Sequence, residues 1–337
     1  MQNPAGRTVP LSVLDVVPLR TGSTVSAAFA ETTALAQHVE RLGYQRYWFA
    51  EHHGMPSIAS SAPAVLIGHV AQATSTIRVG SGGVMLPNHA ALAIAEQFGT
   101  LEALYPGRID LGLGRAPGTD QLTASALRRH DGGGHDFAEQ LAELFAFFRN
   151  DFPEGHPYKH IKAMPAIGHE PPVWLLGSSD YSARLAGDLG LPFSFAHHFS
   201  AENTLPALRL YRQRFRPSSA LQAPHAMICA IAIVADTDEL ARRLAMPTAL
   251  AFLRLRSGRP AAYPTLEEID AYPWTPAERA FAEQWVDKAI VGSPDSARRQ
   301  LQRLVDDTGA DEVMVMCTAP DSESRQHSYT LLKQVTA

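Results

Sequence analysis

Three ionisable side chains, Glu51-His52-His53, follow directly on the apolar run Tyr47-Trp48-Phe49-Ala50. An aromatic strand that stops at titratable groups is how an α/β protein delivers chemistry to the end of its sheet. Histidine has the unperturbed pKa nearest neutrality, so a strand-end histidine suits general acid or base work. The competing reading is that these histidines only hydrogen-bond across a loop.

Four further patterns bear on the choice. The stretch Ser81-Gly82-Gly83-Val84-Met85-Leu86-Pro87-Asn88-His89 places paired glycines inside a strand, which marks a bulge or a close approach of backbone or ligand. Gly112-Leu113-Gly114-Arg115-Ala116-Pro117-Gly118-Thr119-Asp120 invites a dinucleotide reading, with Asp131 at a suitable distance downstream. Its glycines are wrongly spaced for that, and Pro117-Gly118 breaks the helix that would receive a pyrophosphate. Arg115, flanked by small residues, instead suits a single phosphate, with a surface salt bridge as the alternative. In Gly177-Ser178-Ser179-Asp180-Tyr181-Ser182 a strand meets a helix start, where free N–H groups, the helix dipole and hydroxyls make a phosphate cradle. Ordinary N-capping by Ser178, Ser179 or Asp180 is the alternative there. His197-His198 follow another strand and either line a pocket or cap it. Despite 14 histidines, no H-E-x-x-H or Cys/His ligand spacing occurs, so no metal site is expected.

The elements that must position these residues alternate along the chain. Strands are expected at Pro10–Val17, Gln45–Ala50, Thr76–Leu86, Arg108–Leu113, Pro172–Leu176, Pro192–Ala196, Ala226–Ala235 and Glu312–Cys317. Helices are expected between them, among them Val25–Leu42 closed by Gly43, Pro63–Ala73, Ala90–Leu104, Phe137–Phe148, Ser179–Leu189, Thr204–Phe215, Thr237–Leu255 and Pro294–Val305, with a terminal helix at the end. The segment Ser257–Pro276, with four prolines and one glycine, reads as an irregular excursion before the last βα unit. Eight strands in one continuous alternation predict an α/β fold, a (β/α)8 TIM barrel, with a doubly wound open sheet as runner-up. No linker divides the 337 residues, so one domain spanning 1–337 is expected.

Composition narrows the function classes. A hydrophobic content of 45% with 19% charged residues describes a globular chain with ample core, and a net charge of −5 argues against nucleic-acid or anionic-membrane surfaces. The polar N-terminus lacks an apolar signal core and no segment is long enough to span a bilayer, so a cytoplasmic location is expected. Cys229 and Cys317 lie in separate apolar runs and read as buried thiols.

Taken in order, Tyr47–His53, Val79–His89, Pro106–Gly118 and Trp174–Ser179 resemble the bacterial luciferase-like flavin monooxygenases, in the single-chain branch of unassigned substrate. The resemblance runs over roughly Leu11 to Lys333. It implies a TIM barrel that uses FMN, supplied reduced by a separate flavin reductase, with dioxygen and a small organic molecule as substrates. It implies that His52 is the active-site histidine beside the flavin, working as acid or base on a C4a-hydroperoxide, with Glu51 orienting it. Gly82 and Gly83 match the strand bulge against the isoalloxazine ring, often with a non-prolyl cis peptide. Arg115, Gly177, Ser178 and Ser179 match the phosphate site. Tyr181 and Ser182 fall where further phosphate contacts occur, though here the chain departs from the luciferases themselves, and Arg128 or Arg129 is a candidate to complete the site. A homodimer is the family habit. Alternatives are hydride transfer with a deazaflavin (F420), a non-catalytic flavin-binding protein of the same fold, and an unrelated phosphate-binding barrel.

Overall fold

The computed structural model describes residues 8–127 and 137–336. Its strands are β1 (Leu11–Asp15), β2 (Arg46–Phe49), β3 (Arg78–Ser81), β4 (Val84–Met85), β5 (Ile109–Gly114), β6 (Val173–Gly177), β7 (Phe193–Phe195), β8 (Ala226–Val234), β9 (Ile290–Gly292) and β10 (Glu312–Met316). They run in the order β10-β1-β2-β3-β5-β6-β7-β8, and β10 pairs back onto β8, so eight parallel strands close into a barrel. Parallel neighbours cannot be joined by hairpins, which is why a crossover with helical structure separates most consecutive barrel strands. The (β/α)8 expectation holds, and the open sheet is excluded by the β8–β10 pairing, for example Met314 opposite Cys229.

Side chains alternate between the barrel interior and the helical layer. Outward-facing Val13, Tyr47, Phe49, Val79, Leu111 and Phe193 pack under the helices in one large core. A second, smaller core fills the barrel with Leu14, Trp48, Trp174, Met227, Met314 and their neighbours. At the N-terminal end of the barrel the interior is charged. Arg46 bridges Asp110 and Glu312 at 2.8 and 2.9 Å, Arg78 meets Asp110 at 2.6 Å, and Ser12 donates to Glu312. Above this plug Trp48 and Trp174 meet edge to face at 5.3 Å. The interior is therefore filled from below and stays open only at the C-terminal ends of the strands.

Local departures from expectation have local causes. The stretch Thr76–Leu86 is two strands, because the chain bulges at the Gly82–Gly83 peptide, which is cis, before β4 resumes pairing with β5. Strand β9 extends the long β8 outside the barrel and was not foreseen; three residues carry too little pattern. The segment Ser257–Pro276 contains one short helix, Leu266–Asp270, started by a Thr265/Glu268 capping box. The excursion is fixed over the barrel by a bridge between Tyr263 and Arg20 in the loop after β1.

Candidate active site

A cavity opens at the C-terminal ends of the barrel strands, the face on which barrels of this architecture carry their sites. His52, Gly82, Gly83, Arg115, Gly177, Ser178, Ser179 and Ser182 all line it. These residues stand at or just beyond the C-terminal ends of β2, β3, β5 and β6, with Ser182 in the first turn of the helix Asp180–Leu189, so barrel closure brings them to one place. Much of the remaining wall is apolar, including Leu14, Val16, Met85, Leu176 and Met316.

His52 is held by the loop after β5. Its Nδ1 lies 3.1 Å from the Gly118 carbonyl, and since a carbonyl only accepts, Nδ1 carries the ring proton. Nε2 is then the basic nitrogen, and among the described residues it has no partner. Burial pushes the ring pKa down, only partly opposed by the Gly118 bond and the charge of Glu51, so the imidazole is neutral at physiological pH. Gly118 adopts φ +65°, and a Cβ there would stand 2.7 Å from the Glu51 carbonyl oxygen. That close approach needs glycine and explains why the loop carries it.

Glu51 lies elsewhere than expected. Its carboxylate is fully buried and does not line the cavity. It accepts from the Met85 amide at 3.0 Å, Asn88 Nδ2 at 3.2 Å, His53 Nε2 at 2.9 Å and His89 Nε2 at 2.9 Å. Burial alone would raise its pKa; the bond and charge of His89, then His53 and the Met85 amide, outweigh burial and hold it below the ordinary glutamate value. Glu51 thus does not orient the His52 ring. It ties the loop after β2 to the segment that follows the Gly82–Gly83 bulge, and His53 is one of its ligands.

The cationic end of the cavity is built on the helix Asp180–Leu189. Its N-cap residue Ser179 makes no side-chain capping bond, so capping does not occupy the hydroxyl. Arg115 reaches the same wall with its guanidinium 4.1 Å over the Tyr181 ring. Tyr181 itself does not line the cavity, so its part is to carry Arg115. Ser178, Ser179, Ser182, the first N–H groups of the helix and Arg115 form a donor set suited to a phosphate dianion. Arg128, Arg129 and Asp131 lie outside the described residues.

Of the second histidine pair, His197 bonds Thr204 Oγ1 at 2.8 Å and does not line the cavity, whereas His198 does. Sequence reasoning left open whether this pair lines a pocket or caps the strand, and for His198 the first holds. It missed Cys229, Met314, Met316 and Phe199 in the wall. Period-two alternation along β8 and β10 was the available signal for the first three, because inward positions near a strand's C-terminal end face the cavity. Among the described residues, no group of three or more His, Cys, Asp or Glu could hold a metal ion, and no helix is long and apolar enough to cross a membrane.

Comparison with known proteins bears on the family and the fold. Residues 10–312 match the family model described as luciferase-like monooxygenase. A luciferase-like monooxygenase of Escherichia coli K12 is 47% identical over 98% of this chain and 97% of its own length. The N-acetyl-S-alkylcysteine monooxygenase of Bacillus subtilis is 35% identical over 96% and 97%. Among solved structures, apo-MsnO8 superposes with a TM-score of 0.87 at 37% identity, covering 97% of this chain and 98% of that one. The oxygenating constituent of 3,6-diketocamphane monooxygenase from Pseudomonas putida, solved with FMN, shares the fold at a TM-score of 0.73 and 20% identity, covering 98% of each chain.

Proposed function

The chain belongs to the luciferase-like monooxygenase family, and from that premise we propose that it is an FMN-dependent monooxygenase that uses reduced flavin and dioxygen to oxidise a small organic substrate. The carrying observation is that one apolar cavity holds a phosphate-type donor set at one end and a neutral histidine with an available Nε2 elsewhere in its wall. The residues fit the cofactor. Arg115, Ser178, Ser179 and Ser182 would hold its phosphate, and Gly82–Gly83 would lie against its ring. A Cβ on Gly82 would fall 2.5 Å from Leu14 Cδ1, so this part of the wall is already packed tight without side chains.

Bound reduced flavin supplies the two electrons that let dioxygen give one oxygen atom to the substrate and one to water. The protein's own contributions follow from its groups. Met85, Leu176 and the other apolar wall residues exclude water from the reacting centre. His52 Nε2 accepts a proton and returns it, while the Gly118 carbonyl keeps the ring in the tautomer that makes Nε2 the base. Glu51 acts through structure, holding the His52 loop against the bulge.

The same reading takes reduced FMN to come from a separate flavin reductase. It takes the chain to be one barrel domain that works as a cytoplasmic homodimer. Anaerobic titration with reduced FMN followed by an oxygen pulse tests it: stoichiometric binding and oxygen-dependent spectral change are expected. Binding of F420 with no affinity for FMN would replace monooxygenation with hydride transfer, and failure to bind any flavin would sink the proposal.

A further inference from the structure

His198 shares the cavity wall with His52 and is locked in the same way. Its backbone amide and its Nδ1 both address one acceptor, the Cys229 carbonyl, at 3.1 and 3.0 Å. Because that oxygen can only accept, Nδ1 carries the ring proton and Nε2 keeps its lone pair. Among the described residues Nε2 has no partner. Burial lowers the ring pKa to about 4 against the opposing Cys229 bond, with His197 and His52 adding to the lowering, so the imidazole is neutral.

The surroundings of this acceptor are soft and uncharged. Cys229, Met314 and Met316 line the same cavity, and burial pushes the Cys229 thiol pKa up, so it stays protonated. Phe199, 59% exposed, also lines the cavity and packs its ring 4.2 Å from the imidazole. Among the described lining residues Arg115 is the single cation, there is no carboxylate, and Arg115 belongs to the phosphate end. His198 is only partly buried, so its Nε2 opens onto the cavity, where an O–H or N–H group of a ligand can replace water as its donor, while the lone pair repels an incoming carboxylate.

We propose that His198 is a specificity-determining residue of the substrate subsite: its Nε2 accepts a hydrogen bond from an O–H or N–H group on a largely apolar, uncharged substrate. This inference rests on the monooxygenase reading above. It places the donor group of the substrate at His198 and the apolar body against Cys229, Met314 and Met316.

Calorimetric titration of the protein, with and without FMN, tests this with three matched probes: 1-octanol, its methyl ether and octanoate. The alcohol is expected to bind about three- to tenfold more tightly than the ether, the worth of one neutral hydrogen bond, and octanoate more weakly than both. In His198→Leu, and in His198→Phe as a second apolar replacement, the alcohol preference is expected to fall below about twofold while FMN affinity stays within about threefold. Retention of the preference in both variants overturns the proposal. So does octanoate binding best, or no binding of any probe. A large loss of FMN affinity in both variants would instead set the ring against the flavin, which also overturns it. If neither wild type nor variant binds FMN, the flavin reading fails, while the alcohol-to-ether ratio in the FMN-free titration still decides the role of His198.

Discussion

Glu51 and His52 are adjacent, and their side chains do different work because consecutive residues of an extended segment point to opposite sides. His52 faces the cavity, and Glu51 faces inward to His53, His89, Asn88 and the Met85 amide. The two therefore separate by mutation. His52→Ala is expected to bind FMN within about threefold of wild type and to lose about 10²- to 10⁴-fold in turnover, the usual worth of a general acid or base. Unchanged oxygen and substrate consumption by that variant would remove His52 from the chemistry. Glu51→Gln keeps the shape but loses charge-assisted acceptance from two histidines. It is expected to cost about 1–3 kcal/mol of stability in urea unfolding. A variant with wild-type stability and lost turnover would restore Glu51 to a catalytic role. The sequence showed that something reactive sits at this strand end. It could not show which partner each side chain finds, because Met85 and His89 come from a separate segment, β4 and the turn that follows it.

At the scale of elements, the helix Asp180–Leu189 and the loop after β5 together make the anion site, and neither suffices alone. The helix supplies N–H groups and Ser179, and its second residue, Tyr181, carries the Arg115 guanidinium on its ring face. Arg115→Ala is expected to weaken FMN binding about 10- to 100-fold, as for loss of charge-assisted hydrogen bonds, and to leave riboflavin binding unchanged. Equal losses for both ligands would mean that Arg115 does not meet the phosphate. Tyr181→Leu should weaken FMN about two- to thirtyfold through loss of the cation–π support, and Tyr181→Phe should not. The loop motifs for this site were legible in the sequence because Gly177-Ser178-Ser179 sits at a strand-to-helix junction, a local feature. The Arg115–Tyr181 stack was not, since it joins two elements whose approach depends on β5 pairing with β6.

For the whole molecule, burial lowers the pKa of His52, His197 and His198, so each binds a proton more readily in the unfolded chain. Where the unfolded state binds more protons, stability rises with pH. Their contribution is complete above the ordinary histidine value of 6.5 and is lost as pH falls, for His198 down to about 4. At about 1.4 kcal/mol per unit, His198 accounts for roughly 3 kcal/mol of that loss by pH 4. Asp15, Glu51 and Glu312, whose pKa values are held low, add to it only below the ordinary carboxylate range. Urea unfolding at pH 7.5 and 5.5 should show falling stability in wild type and a loss smaller by roughly 1 kcal/mol in His198→Leu. Identical losses would show that His198 is not buried neutral. By itself the sequence determined the order of βα units, the barrel that eight of them close, and which loop residues stand at strand ends, because alternation, glycines and helix starts are written locally. Only the tertiary structure decided that Glu51 turns from His52 to His53 and His89, and that Tyr181 supports Arg115 without facing the cavity. Closure of β8 onto β10 likewise decided that His198 joins His52 above a floor of Cys229, Met314 and Met316. Each of these depends on groups far apart in the chain, and a local pattern carries no record of which distant loop will arrive beside it.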